Sequence, residues 1–128
     1  MEADQEFNFI KLCENGNIDE IIAFYNNNTT GDVFPEAFRI ACETNNLPLI
    51  DWLYSVKPTI VSLECETTFY YACQNGNLDK VKCIFSLNHN ITKDIDYDYA
   101  FFTASKSGQY EIVHWLASVV KLTPFMNE

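Results

Sequence analysis

The sequence predicts an all-α protein, an elongated helix–turn–helix solenoid of about four repeats. Four seventeen-residue stretches align without a gap: Phe9–Tyr25, Phe38–Tyr54, Phe69–Phe85 and Phe101–Ala117. Their offsets of 29, 31 and 32 residues are those of stacked repeat units. Within each stretch, apolar residues recur at i, i+3 and i+4 on both sides of a Gly or Asn, the spacing of two short amphipathic helices. One such unit is too small to bury its own apolar face, so neighbours must stack.

The columns agree in chemistry. Phe opens every unit, at Phe9, Phe38, Phe69 and Phe101. Four places on stands a small residue, Cys13, Cys42, Cys73 or Ser105, preceded by Leu12, Ala41, Ala72 or Ala104. These place first helices near Phe7–Asn15, Glu36–Thr44, Thr67–Asn75 and Ala100–Ser107. Gly16, Asn45, Gly76 and Gly108 share the next column, residue types that tolerate the positive φ of a helix-ending turn. Second helices follow near Ile18–Asn26, Pro48–Ser55, Asp79–Ser86 and Glu111–Val120. Pro48 suits a first turn, where its missing N–H is harmless. Asn26–Ala37, Ser55–Thr68 and Ser86–Ala100 remain as connectors. The whole chain, 1–128, reads as a single domain with repeats at about 6–34, 35–65, 66–97 and 98–123. A non-repeat helical bundle is the competing fold.

The strings LCENGNIDEII, ACQNGNLDKVKCIF and SGQYEIVHWLA resemble ankyrin repeats, whose hallmark run is small-small-x-x-Gly-His-x-x-x-Val-x-x-Leu. Asn17, Asn46, Asn77 and Gln109 stand where that run has His. The resemblance covers roughly residues 6–123. It departs at the Thr-Pro-Leu-His opening, replaced by PEAFRIA, TTFYYA and DYAFFTA, and in the Gly-Ala-Asp between repeats, reduced to runs such as Asn88-His89-Asn90-Ile91. The divergent, Asn- and Phe-rich style is similar to repeats of protist or giant-virus proteins.

Composition narrows the function. Eighteen acids stand against eight bases, a formal charge of −10, and Arg39 is the one arginine. A phosphate-binding surface needs clustered Lys and Arg, so direct nucleic-acid binding and docking to anionic lipid are disfavoured. A basic partner would be steered toward such a chain. The longest apolar runs fall far short of a membrane span. The acidic, polar start, MEADQEFNF, is not that of a secretory signal peptide. With five cysteines, Cys13, Cys42, Cys65, Cys73 and Cys83, the odd count points to reduced thiols and a cytoplasmic location, the host cytoplasm if the protein is viral. Asn-x-Thr patterns at Asn27, Asn28 and Asn90 would go unused there.

No constellation supports catalysis, and no enzyme activity is expected. The glycines are isolated, with no phosphate loop, nucleophile elbow or metalloprotease helix among them. The Cys column reads as small core residues. His89 and His114 lie apart from any clustered Cys set, so neither a zinc site nor a cofactor is expected.

The resemblance implies protein–protein recognition without catalysis. It also implies a concave binding face, made by the connector arms and the exposed ends of first helices. Those ends are Glu14–Asn15, Glu43–Thr44, Gln74–Asn75 and Lys106–Ser107. On the arms it assigns Asp32 and Phe34, Glu64 and Glu66, and Asp94, Asp96, Tyr97 and Asp98; with Glu43 these are the candidate partner-binding residues. The 93–99 arm alternates acid with apolar or aromatic residues, as an exposed hairpin does. An acidic inhibitor that mimics nucleic acid is the alternative function. Solenoid ends need polar outer faces. Lys11, Glu14, Asp19 and Glu20 supply one, whereas Val119, Val120, Leu122, Phe125 and Met126 leave the other apolar. Either the tail folds back as a cap over that end, the favoured expectation, which leaves a monomer, or it is a self-association surface.

Overall fold

A computed structural model describes residues 2–120. Among them are nine helices and no strand: α1 (Glu2–Asn15), α2 (Ile18–Asn27), α3 (Phe34–Glu43), α4 (Leu47–Val56), α5 (Pro58–Asn75), α6 (Leu78–Phe85), α7 (His89–Thr92), α8 (Tyr97–Lys106) and α9 (Tyr110–Val119). The expected helical-repeat class is the observed one. The chain divides into two compact units, Met1–Glu64 and Cys65–Glu128, each holding two repeats. In the first, α1 packs on α2 and α3, and α3 on α4; in the second, α8 and α6 each pack on α9. The expected tail cap at 123–128 lies outside the described residues.

Each helix pair turns by the same device. Gly16, Asn45, Gly76 and Gly108 all take positive φ, of 83°, 54°, 84° and 75°. At Asn45 and Gly108 the first helix ends in the two-bond pattern that satisfies its last carbonyls, and at Gly76 both bonds fall on the Ala72 carbonyl. Asn46, Asn77 and Gln109 donate backbone N–H groups to Ala41, Ala72 and Ala104 at 2.8, 3.0 and 2.9 Å. Asn17, Asn46 and Asn77 then cap the second helices, each side chain accepting from the N–H three residues on. The column that replaces the family's His is therefore mostly an N-cap column.

Two connectors depart from expectation. The 55–68 segment is no loop, because α5 begins at Pro58 and one residue, Lys57, separates it from α4. Val61, Cys65, Phe69 and Ala72 are buried at helical spacing, and Pro at the first helical position removes no needed donor. The 93–99 segment is no hairpin arm. The short α7 precedes it, Ile95 is buried, and Asp96 caps α8, accepting from Tyr99 N–H at 3.1 Å. Likewise α3 starts at Phe34, ahead of the expected Glu36.

Each unit is centred on four rings. In the first, Phe34 lies 6.3 Å from Phe9, 5.6 Å from Tyr25 and 5.9 Å from Trp52, centroid to centroid. In the second, Tyr97 lies 5.7 Å from both Phe69 and Phe85, and Phe85 packs edge-on against Trp115 at 5.1 Å. Phe9 and Phe69 share a repeat column, as do Tyr25 and Phe85, Trp52 and Trp115, and Phe34 and Tyr97. The true structural period is thus a pair of repeats, each member supplying two of the four rings. Edge-to-face ring pairs add about 1 kcal/mol each beyond their buried area.

Candidate functional site

The expected partner-binding residues do not form one exposed set. Phe34 is only 1% exposed, so this expectation is corrected: its ring is a core element. Tyr97 is half-buried between Phe69 and Phe85, and burial pushes its phenol above the ordinary range against a hydrogen bond with Thr92. It too belongs to the core and does not project from an arm. Glu64 lies on α5 and pairs with Arg39 Nη1 at 2.9 Å. Glu66, also on α5, accepts from Tyr70 Oη at 3.3 Å. Asp32, Glu43, Asp94 and Asp96 are exposed, and Asp98 is half-buried in the first turn of α8. Asp32 borders an open cleft of about 720 Å³ in the first unit, beside Thr30, Lys57 and Ile60.

Sequence reasoning missed a groove in the second unit. It has a volume of about 320 Å³ and is lined by Thr67, Tyr70, Tyr71, Gln74, Tyr99 and Thr103. All six side chains come from the first helices α5 and α8. Burial of Ala72 and Cys73 on one side of α5, and of Ala100 and Ala104 on one side of α8, turns Tyr71 and Tyr99 outward. These rings are 61% and 50% exposed and line the same groove. Tyr70 and Tyr99 meet edge-on at 4.8 Å. The Tyr70 hydroxyl accepts from Asp96 N–H at 2.8 Å while donating to Glu66. Burial, reinforced by the Glu66 and Asp96 carboxylates and opposed by the Asp96 N–H, raises this phenol to about 12. It stays protonated and holds α5 and the N-terminus of α8 in register. The groove was legible in one respect: Tyr71 and Tyr99 lie two places after and two places before the opening Phe of their repeats, off the buried arc.

The chemistry offered is that of contact. Cys13 and Cys73 are buried, and burial lifts both thiols to about 12, for Cys13 with the help of Glu14 and Glu36. Neither is a nucleophile at neutral pH. Among the described residues, no group of three or more His, Cys, Asp or Glu side chains is gathered to hold a metal ion, and no helix is long and apolar enough to cross a membrane. What the groove presents is aromatic area, hydroxyls, one amide and nearby carboxylates.

The family model of ankyrin repeats, in three copies, matches residues 38–123. The match opens on Phe38, the first residue of the second aligned stretch, and runs through α9. The first repeat lies outside it but shares its columns and its helix pair. Comparison with curated proteins and with solved structures finds no match.

Proposed function

The chain belongs to the ankyrin repeat family, whose repeats are generally protein–protein interaction modules and typically non-catalytic, and we propose that it binds a basic partner protein in the cytoplasm through the exposed faces of its first helices. The carrying observation is the tyrosine groove of α5 and α8. Tyr presents large contact area at low entropic cost together with a polar hydroxyl, the combination that dominates interface hot spots. Gln74, near the end of α5, lines the groove and is among the first-helix ends that the family resemblance assigns to the binding face.

Charge supports the basic character of the partner. Residues 1–64 carry eleven acids against three bases, whereas 65–128 carry seven against five. The first unit supplies the field that speeds encounter, with Asp32 and Glu43 among its exposed carboxylates. The second supplies the anchor, with Asp94, Asp96 and Asp98 at the entry to α8. Field chiefly sets association rate, and a desolvated aromatic anchor chiefly sets dissociation rate. An acidic nucleic-acid mimic is less well supported. Glu64 and Glu66 are engaged by Arg39 and Tyr70 rather than arrayed toward solvent.

The test places a photo-crosslinking amino acid at position 71 or, as control, at the exposed His114 of α9 in the full chain. Irradiation in extract of the cells that express it should trap a protein from position 71 and not from position 114. Equal trapping from both positions, or none from 71, would refute the groove as the docking face.

A further inference from the structure

We propose that the groove of α5 and α8 receives an arginine side chain of the partner, its guanidinium stacked on the Tyr71 and Tyr99 rings and hydrogen-bonded to the Glu66 and Asp96 carboxylates. This deepens the docking reading above and rests on it. The chain itself shows the missing complement. Arg39 and Glu64 occupy the same repeat columns as Tyr70 and Asp96, one place after and five places before an opening Phe. At the earlier pair of columns, the guanidinium of Arg39 meets the Glu64 carboxylate at 2.9 Å. At the later pair, Tyr70 replaces the arginine, and its hydroxyl takes the Asp96 backbone N–H instead. The acid is kept and the base is gone. Among the described residues no cation pairs with Glu66 or Asp96.

The rest of the groove suits a planar cation. Ring faces attract guanidinium through the aromatic quadrupole, and two carboxylates accept its forked N–H groups. Two other exposed rings, Phe7 and Phe102, are covered by the chain's own cations, Lys11 at 5.6 Å and Lys106 at 5.9 Å. Tyr71 and Tyr99 have no such cover among the described residues. A volume of about 320 Å³ admits one long side chain and not a helix. An acidic or phosphorylated segment would meet Glu66 and Asp96 with like charge.

The test is an amide NMR titration of the full chain with a capped Gly-Ser-Arg-Ser-Gly peptide and its citrulline, lysine and leucine counterparts. Citrulline keeps the shape of arginine and removes the charge. The arginine peptide should shift Tyr70, Tyr71, Tyr99 and Thr103, and citrulline should bind about tenfold more weakly, with lysine between them. Asp96→Asn keeps the helix cap, so its weaker binding at unchanged melting temperature would isolate the carboxylate. Tyr71→Ala with Tyr99→Ala should abolish the shifts. Equal binding of arginine and citrulline, or of arginine and leucine, overturns the proposal, as does an arginine peptide that leaves the groove unshifted. If position 71 still traps a protein in any of those cases, the docking face stands and only its arginine specificity falls. If the arginine peptide binds while position 71 traps nothing, the docking reading alone falls.

Discussion

Asn46 Nδ2 donates to the backbone carbonyl of Gly16 at 3.3 Å, while its Oδ1 accepts from Leu49 N–H at 3.2 Å. One side chain thus caps its own helix and ties it to the turn of the preceding repeat. Gln109 performs the second task in the other unit, reaching the Gln74 carbonyl at 3.1 Å, but makes no cap bond. Its extra methylene carries the amide past the capping position. A family His at this column would offer ring nitrogens; here the amide supplies acceptor and donor at once.

Single substitutions should separate the two tasks. Asn17 caps α2 and, among the described residues, makes no bond to another repeat, so Asn17→Ala should cost about 1 kcal/mol. Asn46→Ala loses the cap and the bridge and should cost about 2 kcal/mol. Asn46→Ser restores a capping oxygen that is too short to reach Gly16, and should recover about half of that loss. Urea unfolding of the four proteins measures this; equal losses for Asn17→Ala and Asn46→Ala would show that the bridge contributes nothing.

The turn glycines differ in what surrounds them. A Cβ at Gly108 meets nothing within 4 Å, so Gly108→Ala carries only the positive-φ strain, about 1 kcal/mol. A Cβ at Gly76 would lie 2.5 Å from Gln109 Oε1. That side chain can swing away, at the expense of its bond to Gln74, so Gly76→Ala should cost about 2 kcal/mol. In a Gln109→Ala background the two substitutions should become equally costly. Asn45→Gly, at φ 54°, should raise the melting temperature.

Tyr97 is a core ring, and its loss should act on stability. Tyr97→Ala opens a cavity beside Phe69 and Phe85 and should cost about 3 kcal/mol. Tyr97→Phe keeps the ring and gives up the Thr92 hydrogen bond, for about 1 kcal/mol. Tyr71→Ala, on an exposed ring, should stay within about 0.5 kcal/mol of wild type. A Tyr97→Ala protein that melts with the wild type would remove the four-ring account of the second unit.

These contrasts show what could be read from the chain alone. The helix pairs were legible because the opening Phe, the small residues and the Gly or Asn turn repeat in fixed columns. The early start of α5 was not, although Val61, Cys65 and Phe69 carry the helical spacing, because the columns of the other repeats place a connector there. Phe34 and Tyr97 were misplaced for a related reason. Each stands four residues before its opening Phe, where the odd repeats have Gln5 and Cys65, so a one-repeat period hides the column. The groove was hidden because exposure of Tyr71 and Tyr99 depends on which arc of α5 and α8 the neighbouring helices cover.

Alkaline stability should report the buried acids. Cys13, Cys73 and Tyr70 hold their protons to about 12 in the folded chain, against ordinary values of 9.0 for the thiols and 10.0 for the phenol. Between those values the unfolded chain binds fewer protons than the folded one, so stability falls as pH rises. Below pH 9.0 all three groups are protonated in both states and their contribution is fully present. The loss begins with the thiols near pH 9.0, is joined by Tyr70 near pH 10.0, and is complete only above about 12. Melting temperature measured across this range should therefore drop in two stages. Replacing Cys13 and Cys73 with Ala should reduce the first stage, and Tyr70→Phe should reduce only the second, to which the half-buried Tyr97 phenol also contributes. Tyr70→Phe also removes the hydroxyl between Glu66 and Asp96 N–H, so its melting temperature at neutral pH should fall while its alkaline slope shrinks. A wild-type curve that stays level from pH 9 to about 11 would mean that these groups ionise in the folded chain as freely as in the unfolded one, and that the packing around Cys13, Cys73 and Tyr70 is looser than their burial implies.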